Sequence, residues 1–183
     1  MLLLLVVWKM KKVFGILFFL FPTFVVFPQI KEDLRKEAES YRQKGYEFQC
    51  KGDISRALEY YQKAISLNPL FTDVYNDLGV VYEMLGEKEK ALEMYKEALE
   101  IDPHYLPAYT NLALFYEEQG NKKKAIFYWR LRYFYGKRGE YWQKIARNHL
   151  FRLDTEGKIK REILKYEAKY FSQEVSAKLE SVP

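Results

Sequence analysis

Residues 72–105, TDVYNDLGVVYEMLGEKEKALEMYKEALEIDPHY, decide the fold of this chain, because their pattern recurs once before and once after them, without a gap. The aligned positions keep a large aromatic, a small residue, a glycine or a proline. They are Tyr41, Tyr75 and Tyr109; Gly45, Gly79 and Ala113; Phe48, Tyr82 and Tyr116; Gly52, Gly86 and Gly120; Ala57, Ala91 and Ala125; Tyr61, Tyr95 and Trp129; and Pro69 with Pro103. A fixed period of about 34 residues indicates a repeat architecture.

Each copy has the features of a helix, a turn and a second helix. The small residues at positions such as Gly45 and Ala57 let two helix backbones approach closely, and the aromatics fill the space around them. A glycine such as Gly86 can take the left-handed conformation that ends a first helix. Pro69 and Pro103 end the second helices. The pattern therefore predicts an all-α chain.

At these positions the chain resembles the tetratricopeptide-repeat (TPR) family, whose 34-residue unit carries an aromatic, Leu-Gly, Tyr, Ala, aromatic, Ala, Pro pattern. The resemblance implies a right-handed superhelical stack of about three repeats (38–71, 72–105 and 106–137) within a domain 31–137. The residues that would hold this scaffold are Tyr41, Gly45, Phe48, Ala57, Tyr61, Ala64, Pro69, Tyr75, Leu78, Gly79, Tyr82, Ala91, Tyr95, Ala98, Pro103, Tyr109, Leu112, Tyr116, Ala125 and Trp129. The third copy departs from the pattern at Arg132 and Lys137, which suits a closing repeat.

Two more helices are expected in residues 138–183, at 140–153 and 158–181. The first carries an apolar stripe that includes Trp142, Ala146 and Leu150, which favours packing as a cap on the repeats. The second carries two stripes, one of them with Leu164 and Phe171, so this helix could contact more than one surface or pair with another chain.

The N-terminal region, residues 1–30, reads as a targeting segment. Residues 13–27 are uncharged and apolar, and they follow Lys9, Lys11 and Lys12. No small-residue cleavage pattern follows, which favours a retained anchor with the N-terminus in the cytoplasm and the repeats extracytoplasmic. The alternative is a signal peptide cleaved near residue 28, which would leave a secreted or periplasmic protein. The anchor would join the protein to the membrane.

The net charge of +5 conceals a segregation along the chain. Residues 31–120 hold 11 basic and 18 acidic side chains, a net charge of −7, whereas residues 121–183 hold 16 and 7, a net charge of +9. The basic ends are thus joined to an acidic middle, so the basic average says little about nucleic acid. No nucleic-acid partner is expected, because an extracytoplasmic location would keep nucleic acid out of reach. The same segregation suggests a homo-oligomer in which copies associate head to tail.

The resemblance further implies that the first helices line a concave groove that binds a peptide or a helix of another protein. The residues expected to contact the partner are Arg42, Tyr46, Asn76, Asp77, Asn111, Glu117 and Glu118. The acidic lining favours a basic or neutral segment. The family's set of Lys and Arg residues that grips a C-terminal carboxylate is absent, apart from Arg42 and Asn111. For any one of these residues, a solvated helix surface is the alternative interpretation.

Catalysis is not expected. The chain has one cysteine, Cys50, and two histidines, His104 and His149, and it has no phosphate loop, nucleophile elbow or metal-ligand pair. No metal and no cofactor are predicted. The sequence therefore predicts a non-catalytic, membrane-tethered scaffold that binds another protein, with a self-associating structural subunit of a cell-envelope assembly as the alternative.

Overall fold

The computed structural model describes the backbone of residues 29–180 and the side chains of residues 29–173. Within that part of the chain every regular element is an α-helix and none is a strand, so the all-α prediction is confirmed. The predicted apolar segment 13–27 lies outside the described residues. No helix between residues 29 and 180 is long and apolar enough to cross a membrane.

The helices follow one another through short turns. Their bounds are α1, residues 29–50; α2, Ile54–Leu67; α3, Thr72–Met84; α4, Lys88–Ile101; α5, Leu106–Glu118; α6, Lys122–Tyr135; α7, Tyr141–Leu153; and α8, Lys158–Glu180. The described residues form two compact units, one ending at Val81 and the other beginning at Tyr82. In the second unit each helix from α4 onward packs against the next one along the chain.

Three glycines at the repeat spacing end the first helix of each repeat. Gly52, Gly86 and Gly120 have φ angles of 76°, 75° and 68°. The next backbone N–H bonds back into the helix, as from Glu87 to the carbonyl oxygen of Tyr82 at 2.9 Å, which is a C-terminal capping pattern. A Cβ on any of these glycines would meet no atom within 4 Å. The left-handed backbone, and not a lack of space, is therefore what requires glycine here.

Small residues and aromatics from equivalent positions make the core. The alanines Ala57, Ala91 and Ala125 are fully buried, and so are the aromatics Tyr61, Tyr95 and Trp129. In the first unit, a Cβ at Gly45 would lie 2.7 Å from ring carbons of Tyr61. The aromatic of α2 thus occupies the space that the missing side chain of α1 leaves open.

The hairpin α7–α8 continues the repeat register. The buried residues of α7 are Gln143, Ala146 and Leu150, which stand one repeat period after the buried Tyr109, Leu112 and Tyr116 of α5. Trp142, expected on the packed stripe, is exposed instead. Gln143 takes the inner position because its amide accepts from the N–H of Gly139 at 2.7 Å and donates to the carbonyl oxygen of Tyr133 at 3.2 Å.

Arg132, one of the two departures of the third repeat from the family pattern, is buried. The residue is only 4% exposed. Its Nε donates to Thr110 Oγ1 at 3.1 Å, and its guanidinium lies 2.6 Å from a carboxylate oxygen of Glu140. The long side chain therefore sits in the packed interior beside the start of α7, where a carboxylate compensates its charge.

Candidate interaction surface

A polar bond between the two helices recurs in every repeat. Its acceptor sits near the end of the first helix and its donor lies in the second helix. The pairs are Tyr61 Oη to Gln49 Oε1 at 2.7 Å, Tyr95 Oη to Glu83 Oε2 at 2.8 Å, and Trp129 Nε1 to Glu117 Oε1 at 2.5 Å. Because the donors are buried aromatics, each bond satisfies a polar group that packing would otherwise leave unpaired.

Glu117 does more than the other two acceptors. Its Oε1 also lies 2.6 Å from Nδ1 of His149, and its Oε2 accepts from Arg152. The His149 ring stacks on Trp129 with 4.3 Å between ring centroids. The carboxylate, whose side chain is 16% exposed, thus joins α5, α6 and α7. Glu117 as a partner contact stays a prediction, and any partner would compete with Trp129, His149 and Arg152 for its carboxylate.

The remaining predicted contacts of α5 are closer to solvent. Glu118 is exposed and pairs with Lys88, with 3.3 Å between Nζ and Oε1. Asn111 is half-buried and is engaged in interactions within the chain. Leu114 lies on the same helix and is 42% exposed, although its neighbours Ala113 and Phe115 are buried. An apolar side chain in solvent on this helix is a candidate contact.

In the first unit, Arg42 of α1 and Asp77 of α3 form an ion pair. Nε of Arg42 lies 2.8 Å from Oδ2 of Asp77, and the guanidinium also lies 3.7 Å from the carboxylates of Glu39 and Asp73. Burial raises the pKa of Asp77 by more than the bond to Arg42 lowers it. Burial alone would lower the pKa of Arg42, but the hydrogen bond to Asp77 and the neighbouring carboxylates together outweigh it and raise that pKa. The two predicted contact residues therefore pair with each other within the chain.

Tyr46 and Asn76 differ sharply in exposure. Tyr46 is 52% exposed on α1, whereas Asn76 is 7% exposed on α3 and is held by interactions within the chain. Sequence phase had placed both on the partner surface. The repeat period locates a face of a helix, but it does not tell how deeply the neighbouring helix covers that face.

Cys50 and His104 are exposed, and His104 packs its ring on Tyr135 with 4.7 Å between centroids. Among the residues that the structure describes, no group of three His, Cys, Asp or Glu side chains could hold a metal ion.

Paired helices that recur at a fixed period, with a left-handed glycine between the members of each pair, define an α-helical repeat protein. Three family models for the tetratricopeptide repeat match the chain, at residues 45–86, 72–105 and 94–127. Residues 45–127 therefore belong to the tetratricopeptide-repeat family, as the sequence predicted.

Individual proteins resemble parts of this chain. An uncharacterized protein of Methanocaldococcus jannaschii is 52% identical over 40 residues, which are 22% of this chain and 46% of the relative, so the match spans less than half of that protein. The crystal structure of MamA is 31% identical, with a TM-score of 0.51 over 57% of this chain and 66% of that one. The TPR2B domain of yeast Sti1, solved as a complex with pHsp70, is 18% identical, with a TM-score of 0.59 over 66% of this chain and 98% of the domain.

Proposed function

We propose that this chain is a non-catalytic scaffold that binds a segment of another protein on the first helices of its repeats. Membrane tethering through residues 13–27, with the repeats outside the cytoplasm, is part of the proposal. Family membership supports the absence of catalysis, because repeats of this kind generally serve as interaction scaffolds.

One observation carries the proposal. Tyr46, Val80 and Leu114 follow one another at the repeat period, and each places an apolar side chain on the solvent side of a first helix. Tyr46 and Leu114 are exposed, and Val80 is partly exposed. A single exposed apolar residue needs no explanation, but exposed or partly exposed apolar side chains at one register position of each first helix favour a contact surface on each of these helices.

The chemistry of the ligand follows from charge. Residues 31–120 carry a net charge of −7, so a basic or neutral segment with apolar anchors would suit them. The yeast Sti1 domain, whose likeness concerns the fold alone, is named as a complex with pHsp70. That a protein of the same fold engages a protein ligand supports the interaction class.

Site-specific photocrosslinking tests the contact surface. A photoreactive phenylalanine analogue replaces Tyr46 or Leu114 in the full-length protein in cells, and Leu70 serves as the matched control because it is exposed in the turn between α2 and α3. The expected result is one discrete adduct from positions 46 and 114 and none from position 70, with the adduct reduced when the unlabelled protein is co-expressed in excess. Equal labelling from all three positions would refute the contact surface.

The membrane part of the proposal has its own test. Full-length protein is fractionated, its intact mass is measured, and protease is added from the outer side. Retention in the membrane fraction at full mass, with the repeats cleaved only from outside, supports the anchor. A soluble product shortened near residue 28 would instead support signal cleavage and would leave the contact surface untouched.

The alternative, a self-associating envelope subunit, is favoured by the charge difference between residues 31–120 and 121–183. Contacts between opposite charges weaken with salt. Analytical ultracentrifugation of the purified chain from low to high salt separates the two functions. Dissociation of oligomers with rising salt favours self-assembly, and a monomer at every salt concentration favours the scaffold.

A further inference from the structure

A groove of about 580 Å³ lies between α7 and α8 in the second unit. Its apolar lining comes from α8, where Leu164, Ala168 and Phe171 follow one another at helical spacing, and Phe171 is 65% exposed. Tyr133 and Tyr166 add aromatic surface. The groove lining does not include Tyr46, Val80 or Leu114, and nothing in the proposed function uses the groove.

Comparison with α5 shows how the groove differs from the packed surface at the same repeat register. Thr110 and Ala113 of α5 stand one repeat period before Lys144 and Arg147 of α7. The two α5 residues are small and buried, whereas the two α7 residues are charged and line the groove. The positions that are buried in the third repeat therefore form a polar rim in the hairpin α7–α8. The apolar stripe of α8 is exposed to solvent.

The rim is cationic. Arg138, Lys144 and Arg147 line the groove together with one carboxylate, that of Glu167. Glu167 is already engaged, because it accepts from Arg147 at 2.8 Å and from the hydroxyl of Tyr133 at 3.0 Å. The lining thus keeps an excess of positive charge over an apolar floor, a combination that complements an apolar stripe flanked by carboxylates.

We propose that the α7–α8 groove binds an acidic amphipathic helix of a second protein. Helices seat side chains at i, i+3, i+4 and i+7 in such grooves, which matches the two turns from Leu164 to Phe171. A symmetric dimer through the same groove would bring its cations face to face, which opposes that mode of pairing between two copies of this chain.

A peptide selection tests the chemistry without a known partner. Displayed 16-residue peptides, random on a helix-forming framework, are selected on the full-length protein after a negative selection on Phe171→Asp. The expected survivors are rich in Asp and Glu and have apolar residues at i, i+3, i+4 and i+7. An empty pool, or a pool without acidic enrichment, would overturn the proposal.

Variants then locate the contact. For the best synthetic peptide, Phe171→Asp should raise Kd at least about tenfold and Lys144→Glu about threefold, measured by fluorescence anisotropy at physiological salt. The matched controls are Phe127→Asp and Lys123→Glu on α6, which are exposed but do not line this groove. Circular dichroism establishes that every variant keeps its helices.

Three outcomes would overturn the proposal. Equal losses in the α6 controls would mean nonspecific charge attraction. Competition by the chain itself, or by a 20-nucleotide single strand, at lower concentration than the peptide would assign the groove to a second copy or to nucleic acid. Loss of binding in Leu114→Asp would place the peptide on the first-helix surface, which leaves the proposed function standing and removes this one.

Discussion

The third repeat, α5–α6, and the hairpin α7–α8 place buried residues at the same repeat register, yet only the third repeat keeps the identities that mark its family. Tyr109, Leu112 and Tyr116 become Gln143, Ala146 and Leu150. The comparison teaches that the fold requires a burial pattern and tolerates changes of residue within it. What changes with the residues is the surface, because small buried side chains give way to Lys144 and Arg147 on a groove.

The largest expected effect comes from the buried centre of each second helix. Trp129 of α6 and Ile163 of α8 are both fully buried and stand one repeat period apart. Trp129→Ala should cost about 4 kcal/mol of unfolding free energy and Ile163→Ala about 3 kcal/mol, because the tryptophan is larger and also donates to Glu117. Urea unfolding followed by circular dichroism measures both. A loss below about 1 kcal/mol at Ile163 would contradict a shared core position.

A loss of about 2 kcal/mol is expected for Arg132→Ala, which removes the partner of Glu140 at the junction between α6 and α7. Breaking a buried pair leaves an uncompensated charge, and the cost here is reduced because Glu140 is partly exposed. The double variant Arg132→Met with Glu140→Gln should recover most of the stability, since both charges are gone. A double variant as unstable as Arg132→Ala would show that packing, and not charge, sets the cost.

Both hairpins have a left-handed glycine in the turn between their helices, and the two glycines should respond alike to substitution. Gly120 and Gly157 have φ angles of 68° and 67°. Alanine at either position should cost about 1 kcal/mol, because a Cβ disfavours the left-handed region. At Gly157 the nearest atom to a new Cβ is the flexible end of Arg161, at 3.2 Å, so little is added there. Thermal unfolding of both variants checks this, and a severalfold difference would separate the two turns.

The sequence predicted the helix pairs wherever residue identities repeat. The glycines and alanines of the three copies predicted helix pairs, and all described elements are helices. The register of α7–α8 was missed, because a search for like residues does not align Gln143 with Tyr109. What recurs at the repeat period in α7 is the set of buried positions, and not the residue types that occupy them.

The candidate contacts were less accessible to sequence reasoning, because a helical phase does not reveal internal partners. Arg42 and Asp77 fell on one predicted surface and proved to bind each other, and Asn76 proved to be buried. Glu117 showed one usable sign. It precedes Trp129 by the same interval at which Gln49 and Glu83 precede Tyr61 and Tyr95, so a polar residue at that position predicts a bond inside the repeat.

The smallest expected effect is a difference in pH dependence between the α5–α6 turn and the α7–α8 turn. Asn121 caps α6 by accepting from the N–H of Lys124, whereas Asp154 accepts from the N–H of Lys160 at 2.8 Å near the start of α8. Backbone hydrogen bonds, that of Lys160 first, lower the pKa of Asp154. A carboxyl with a lowered pKa in the folded state stabilises the helix above its ordinary range, and this stabilisation is lost as pH falls through the folded value.

Hydrogen exchange should therefore show falling protection factors at the Lys160 amide as pH drops below about 4, the ordinary range of Asp. Protection at Lys124 should stay constant, because asparagine does not titrate. Asp154→Asn supplies the control, since it keeps an acceptor and removes the charge, and it should abolish the pH dependence at Lys160. If protection at both amides falls together, acid is loosening the whole unit, and the two caps do not differ in the way that their residues imply.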